Sequence, residues 1–207
     1  MKRLAILGAS GHGKVVADAA LAAGWKEVAF FDDAWPKLMT VGPWPVSGAT
    51  EDLLRGRVQF EGAIVAIGNN SIRLEKLGQI EAGGIAIPTI LHPASAVSPY
   101  AEIGAGSVVF AGGVVNAFAR LGKGCIVNTG ATIDHDCVLA DGVHASPGAH
   151  VGGLVVVGAA TWIGIGACIR HCVSIGDNVV IGAGAAVIGD IESGQCVVGV
   201  PARSIQV

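Results

Sequence analysis

The chain has 207 residues, a net charge of −3 and 14% charged residues, against roughly 25% in an ordinary soluble domain. Its 32 glycines are about twice the usual share of ~7%, and the mean hydropathy is +0.62. High apolar content with little net charge excludes a disordered chain. With 13 Lys and Arg and no basic run, a nucleic-acid binder held by phosphate contacts is not expected. What remains is a membrane protein or a compact fold that needs little charge and much glycine.

In chain order, Arg3–Leu7 is an apolar run that ends at Gly8 and predicts a buried strand. The turn Gly8-Ala9-Ser10-Gly11-His12-Gly13 leads into helical spacing from Lys14 to Ala23, with Gly24 as its C-terminal stop. Val28–Phe31 reads as a second strand, ending at Asp32-Asp33, and the proline-rich segment Trp35–Gly48 as loop. Ala63–Ile67 predicts a third strand, followed by Gly68-Asn69-Asn70. A second helix follows over Ser71–Ala82, capped by Asn70 or Ser71, and then a fourth strand over Ile85–Leu91. Alternating strands and helices of this kind make a small parallel sheet, an α/β Rossmann-like domain.

Composition changes near residue 96: residues 1–96 hold 18 charged residues, whereas residues 97–207 hold 11. From Val97 the sequence repeats every six residues through Ile103, Val109, Val115, Leu121, Val127, Ile133, Leu139, Ala145, Val151, Val157, Ile163, Ile169, Ile175, Ile181 and Val187. The residue after each is often Gly, and the position four after each is usually small. A period of six held over this length marks a hexapeptide β-helix. Three hexads close one coil, and coils stack at ~4.8 Å. The charge-free stretch Gly142–Ile169 exceeds the ~20 residues of a spanning helix. It also holds His144, Pro147, His150 and six glycines between Gly148 and Gly166, so no membrane span is expected. The apolar run at the N-terminus ends too early for a signal peptide. Five cysteines without a C-x-x-C pair read as small, reduced core residues of a cytoplasmic protein.

The hexad phase sorts side chains. Positions one and five point inward, so Ile133 and Cys137 are core, and Asp134, His135 and Asp136 lie outside. A neutral imidazole with its ordinary pKa near 6.5 suits general-base work, and either Asp136 or Asp134 could orient it. His144 should stack on Trp162 one coil on, about 4.8 Å away. His171, two coils above His135, raises a zinc alternative, but the histidine spacing does not complete a ligand set, and no metal is expected. The glycine turn between strand and helix suits a pyrophosphate.

The whole chain resembles the sugar acyltransferases related to PglD and NeuD. The residues that carry the resemblance are Gly8-Ala9-Ser10-Gly11-His12-Gly13, Phe31-Asp32-Asp33, Ala66-Ile67-Gly68-Asn69-Asn70, Asn128-Thr129, Ile133-Asp134-His135-Asp136-Cys137 and Val198-Gly199-Val200-Pro201-Ala202-Arg203. The resemblance implies a Rossmann-like nucleotide-sugar domain over residues 1–90 and a left-handed β-helix over 91–207. It implies acetyl-CoA-dependent N-acetylation of a nucleotide-linked amino sugar, such as a 4-amino-deoxy hexose, in surface-glycan synthesis. His135 would be the base and Asp136, one methylene shorter than the family's usual Glu, its orienter. Acetyl-CoA contacts fall at His144, Ile165, Gly182 and Ala183, with Ala183 in place of a family glycine. Nucleotide-sugar contacts fall at Ser10, Gly11, His12, Asp32, Asp33 and Gly68. The expected assembly is a homotrimer with active sites between subunits. The alternatives are an O-acetyltransferase of the sialic-acid type, a non-catalytic nucleotide-sugar-binding protein, and a metal-dependent hydratase like the gamma-type carbonic anhydrases.

Overall fold

The computed structural model describes residues 2–56 and 60–206, which fall into two compact units, Met1–Pro93 and Ala94–Val207. In the first unit β1 (Arg3–Leu7), α1 (Gly11–Ala22) and β2 (Glu27–Phe31) are followed by a two-residue hairpin, β3 (Thr40–Val41) and β4 (Trp44–Pro45). Then come α2 (Thr50–Leu54), β5 (Gly62–Val65) and α3 (Asn70–Ala82). The sheet order is β2-β1-β5 and both pairings are parallel. Leu4, Ala5, Ile6 and Leu7 are all buried, as a strand covered on both faces requires.

Four details depart from expectation. The segment expected as loop holds the β3–β4 hairpin, with Pro45 tolerated in a two-stranded ribbon. The short helix α2 has no periodic signature. The cap of α3 is Asn69, whose Oδ1 accepts the Ile72 N–H at 3.0 Å. The strand expected over Ile85–Leu91 forms only at Ile90–Leu91. Ala86 accepts one bond from Ala63 N–H, and then Pro88, which has no N–H, packs against Gly62 and stops the ladder.

The second unit is a parallel β-helix. From Ala96 to Val187 its strands are two residues long and pair with a strand eighteen residues away, and the chain ends in a three-residue antiparallel pair, Cys196–Val198 with Arg203–Ile205. One face aligns Val97, Val115, Ile133, Val151, Ile169 and Val187. A second aligns Ile103, Leu121, Leu139, Val157 and Ile175. A third aligns Val109, Val127, Ala145, Ile163 and Ile181, and then Val197, where the repeat shortens. These residues and the small fifth-position residues form one buried core. Of the five cysteines only Cys125 and Cys137 are buried in it. Cys168 and Cys172 are exposed and Cys196 is half-buried, because they fall outside the inward phase.

The glycines do two separate things. Those directly after an inward aliphatic sit where coils nearly touch; a Cβ on Gly104 would lie 2.5 Å from the Gly122 carbonyl oxygen. Those at the fourth position adopt left-handed φ, and here the three edges of the prism differ. One edge uses glycine throughout, at Gly112, Gly130, Gly148, Gly166 and Gly184. Another carries Phe118, Asp136, Leu154 and Cys172 at φ of 62°, 56°, 61° and 58°. That conformation costs an L side chain about 1 kcal/mol, so along this edge side chains are kept where glycine would be more stable.

Candidate active site

His135 and Asp136 stand on the edge that keeps its side chains. Both are exposed, and Asp136 Oδ2 lies 2.8 Å from His135 Nδ1. The left-handed turn at Asp136 aims its carboxylate back at the preceding ring, so the shorter side chain reaches. Nδ1–H donates to the carboxylate, which leaves the Nε2 lone pair free to take a proton. Asp134 does a different job. Its Oδ1 accepts the His135 backbone N–H at 2.8 Å and the Asn116 amide at 2.9 Å, which holds the turn. The hydrogen bond to Asp136, with the charges of Asp134 and Asp136, raises the His135 pKa above its ordinary value. Backbone and Asn116 hydrogen bonds lower that of Asp134. A cavity of about 410 Å³ beside them is lined by Asn116, Thr132, Asp134, His150 and Cys168 among others.

His144 lies on a different face of the prism. It is buried and pairs in register with Trp162, with ring centroids 4.3 Å apart. Asn128 Oδ1 accepts the Thr129 N–H at 2.9 Å, which turns its Nδ2 toward His144 Nε2 at 3.1 Å. Nε2 is therefore the acceptor, and the neutral ring carries its proton on Nδ1. Ile165 and Ala183 occupy equivalent positions in successive coils, and Gly184 N–H donates to the Ile165 carbonyl at 2.8 Å. Ile165 is exposed. Within the chain, His135 stands apart from the group formed by His144, Ile165, Gly182 and Ala183. His150 bonds Thr132 at 2.9 Å. Among the described residues no group of three or more His, Cys, Asp or Glu is arranged to hold a metal ion, and no helix is long and apolar enough to cross a membrane.

In the first unit, Ser10, Asp32, Asp33 and Gly68 line one cavity of about 340 Å³. Gly8 must be glycine, since at φ 112° a Cβ would stand 2.8 Å from the Ala66 carbonyl oxygen. Gly11, exposed, has open space around it. Asp32 braces the turn: its oxygens accept the Ala9 N–H at 2.8 Å and the Ala34 N–H at 2.9 Å. Asp33 Oδ1 accepts the Thr50 N–H at 2.9 Å, and its Oδ2 lies 3.7 Å from Lys76 Nζ. The Thr50 hydrogen bond first, then the Lys76 charge, hold the Asp33 carboxyl below its usual range. Burial, with a smaller push from Arg73, lowers the pKa of His12 from 6.5 to about 4, so this imidazole is neutral.

Arg73, Thr50 and Lys76 were not among the residues expected here. The guanidinium of Arg73 is buried and donates to the carbonyls of Ile67 and Gly68 at 3.0 and 3.1 Å and to Asn70 Oδ1 at 2.8 Å. It thus fixes the Ile67-Gly68 loop at the cavity wall. A signal existed: Arg73 falls on the stripe Asn70, Arg73, Leu77, Ile80 that α3 buries, where a charge needs a reason.

Residues 3–80 match the PglD N-terminal domain family, and residues 154–189 match the bacterial transferase hexapeptide family. The acetyltransferase domain of PglB from Neisseria gonorrhoeae FA1090, solved in complex with acetyl coenzyme A, is 45% identical. That match covers 99% of each chain, with a TM-score of 0.94. A histidine-to-asparagine variant of perosamine N-acetyltransferase from Caulobacter crescentus, solved with CoA and GDP-perosamine, is 33% identical. It covers 100% of this chain and 98% of that one, with a TM-score of 0.95. A UDP-N-acetylbacillosamine N-acetyltransferase from Bacillus subtilis (strain 168) is 37% identical over 115 residues. Those residues are 54% of this chain and 52% of the curated relative, about half its length. The matches span both units, and relatives this similar over nearly the whole length place the chain in a family: it belongs to the PglD-type family of acetyltransferases, built on a left-handed hexapeptide β-helix.

Proposed function

We propose that this protein transfers an acetyl group from acetyl-CoA to the amine of a nucleotide-linked amino sugar, a 4-amino-deoxy hexose, in the cytoplasmic synthesis of a surface glycan. The observation that carries the reading is the 2.8 Å His135–Asp136 contact, an oriented base exposed on the edge of the β-helix. The relatives solved with acetyl-CoA, and with CoA and GDP-perosamine, supply the substrate classes.

The amine nitrogen attacks the thioester carbonyl carbon, and its proton passes to His135 Nε2. The C–S bond then breaks and CoA leaves as its thiol, taking that proton. Asp136 holds the ring by Nδ1 and stabilises the imidazolium as it forms. His144, Ile165, Gly182 and Ala183 bind the acetyl-CoA. Because His144 and His135 occupy different faces of one prism, we place the reaction between subunits of a homotrimer. The nucleotide-sugar sits in the cavity of Ser10, Asp33 and Gly68, beside the turn of Gly11 and His12. Asp32 acts there by holding the turn. The transfer is direct and invokes no acyl-enzyme; the two buried cysteines, Cys125 and Cys137, donate to backbone carbonyls of their own core.

The test incubates the protein with acetyl-CoA and UDP- or GDP-linked 4-amino-4-deoxy hexoses and follows free CoA thiol. Thiol release that depends on the amino sugar supports the reading. Release with hydroxyl acceptors alone would move it to O-acetylation, and no release with any acceptor would overturn it.

A further inference from the structure

The imidazole of His135 lies across Gly153, the equivalent residue one coil above. A Cβ built on Gly153 would stand 2.6 Å from His135 Nε2, 2.7 Å from Cε1 and 3.1 Å from Cδ2. No real Cβ sits that close to a ring. Gly153 is not among the glycines with left-handed φ, so its backbone is open to any L residue and its conformation does not explain the glycine. Nor can the backbone yield. The Gly153 carbonyl accepts the Cys172 N–H from the coil above at 3.0 Å, and the Leu154 N–H donates to the His135 carbonyl below at 3.0 Å. The ring is what can move, because His135 is half exposed. A methyl group at position 153 would therefore swing the imidazole toward solvent, off the Asp136 carboxylate.

We propose that Gly153 is a positioning residue: its missing side chain is the seat that holds the His135 ring against Asp136 with Nε2 in place to take a proton. This rests on the reading of His135 as the base and adds a requirement to it. Residues of the same rank on this edge are Pro99, Ala117, His135, Gly153, His171 and Gly189; of the two glycines only Gly153 has a ring against its Cβ position, since Gly189 has open space there. The groups facing the ring are Asp136 on its own turn, Asp134 before it, and the Gly153 backbone above.

The experiment is Gly153→Ala, alone and combined with His135→Ala, with two readouts. Without substrate, the pH titration of the His135 ring is followed by NMR in labelled protein. The seat predicts a midpoint lower in Gly153→Ala than in the parent, because the ring leaves Asp136. An unchanged midpoint overturns the proposal, whatever the enzyme acetylates. With substrate, kcat of Gly153→Ala falls at least tenfold while KM stays within twofold, and the double variant is no slower than His135→Ala. A kcat within twofold of the parent, or a double variant slower than His135→Ala, also overturns it. If Gly153→Ala does not fold, the double variant decides: folding there puts the ring in the seat, and failure in both contradicts it.

Discussion

The two units each hold one histidine in a prepared setting, and the settings are opposite. His135 stands exposed on the β-helix with a carboxylate at 2.8 Å, and its pKa is raised. His12 is largely buried beside the glycine turn, near a buried arginine, and its pKa is lowered to about 4. Environments that push two titratable groups apart separate their roles. A ring held ready to accept charge is a base, whereas a ring denied charge is a neutral hydrogen-bonding group. On the proposed function, the same side chain serves proton transfer in one unit and recognition in the other.

The sharpest way to break this contrast is His135→Ala. Loss of a positioned base lowers kcat by about 10²–10⁴-fold, and acetyl-CoA binding measured by calorimetry stays within twofold. An unchanged kcat would remove His135 from the reaction.

The next effect is on stability. Between pH 6.5 and about 4 the unfolded chain binds a proton at His12 that the folded chain refuses. Its contribution is therefore complete above pH 6.5 and is lost as pH falls toward 4, on the order of 3 kcal/mol in all. Denaturant melts of the parent and of His12→Gln across that window should converge at low pH. Parallel curves would show that His12 is not held neutral.

Asp136→Asn tests the other side. Without the anion that raises it, the His135 pKa falls, so the acid limb of the kcat/KM profile moves to lower pH. The plateau falls about tenfold, since an amide supports the developing imidazolium less well than a carboxylate. Glu in its place should restore the limb. The smallest effect is that of Arg73→Met, which removes the lesser of the two influences on His12; the NMR midpoint of His12 rises but stays below 6.5, burial being the larger cause.

Much of this was legible in the sequence because a strict period leaves no freedom. Once Ile133 and Cys137 are inward, Asp134, His135 and Asp136 are outward, and His144 must meet Trp162. What was not legible depends on local backbone geometry or on distant partners. The choice between Asp136 and Asp134 as orienter turns on the left-handed φ of Asp136. The bracing role of Asp32 depends on the N–H of Ala9, 23 residues away in sequence. Cys168 and Cys172 share the composition of core residues but not their phase. Gly153 looks like any turn glycine until the ring lying on it is seen.

The central claim is that the proton leaves through a His135 tuned by Asp136. The most direct measurement sets the acid limb of kcat/KM beside the NMR titration of the His135 ring, in the parent protein and in Asp136→Asn. The account predicts that limb and titration coincide above pH 6.5 in the parent and move down together in the variant. A limb that keeps its position while the His135 titration shifts would contradict it and assign the essential proton to another group.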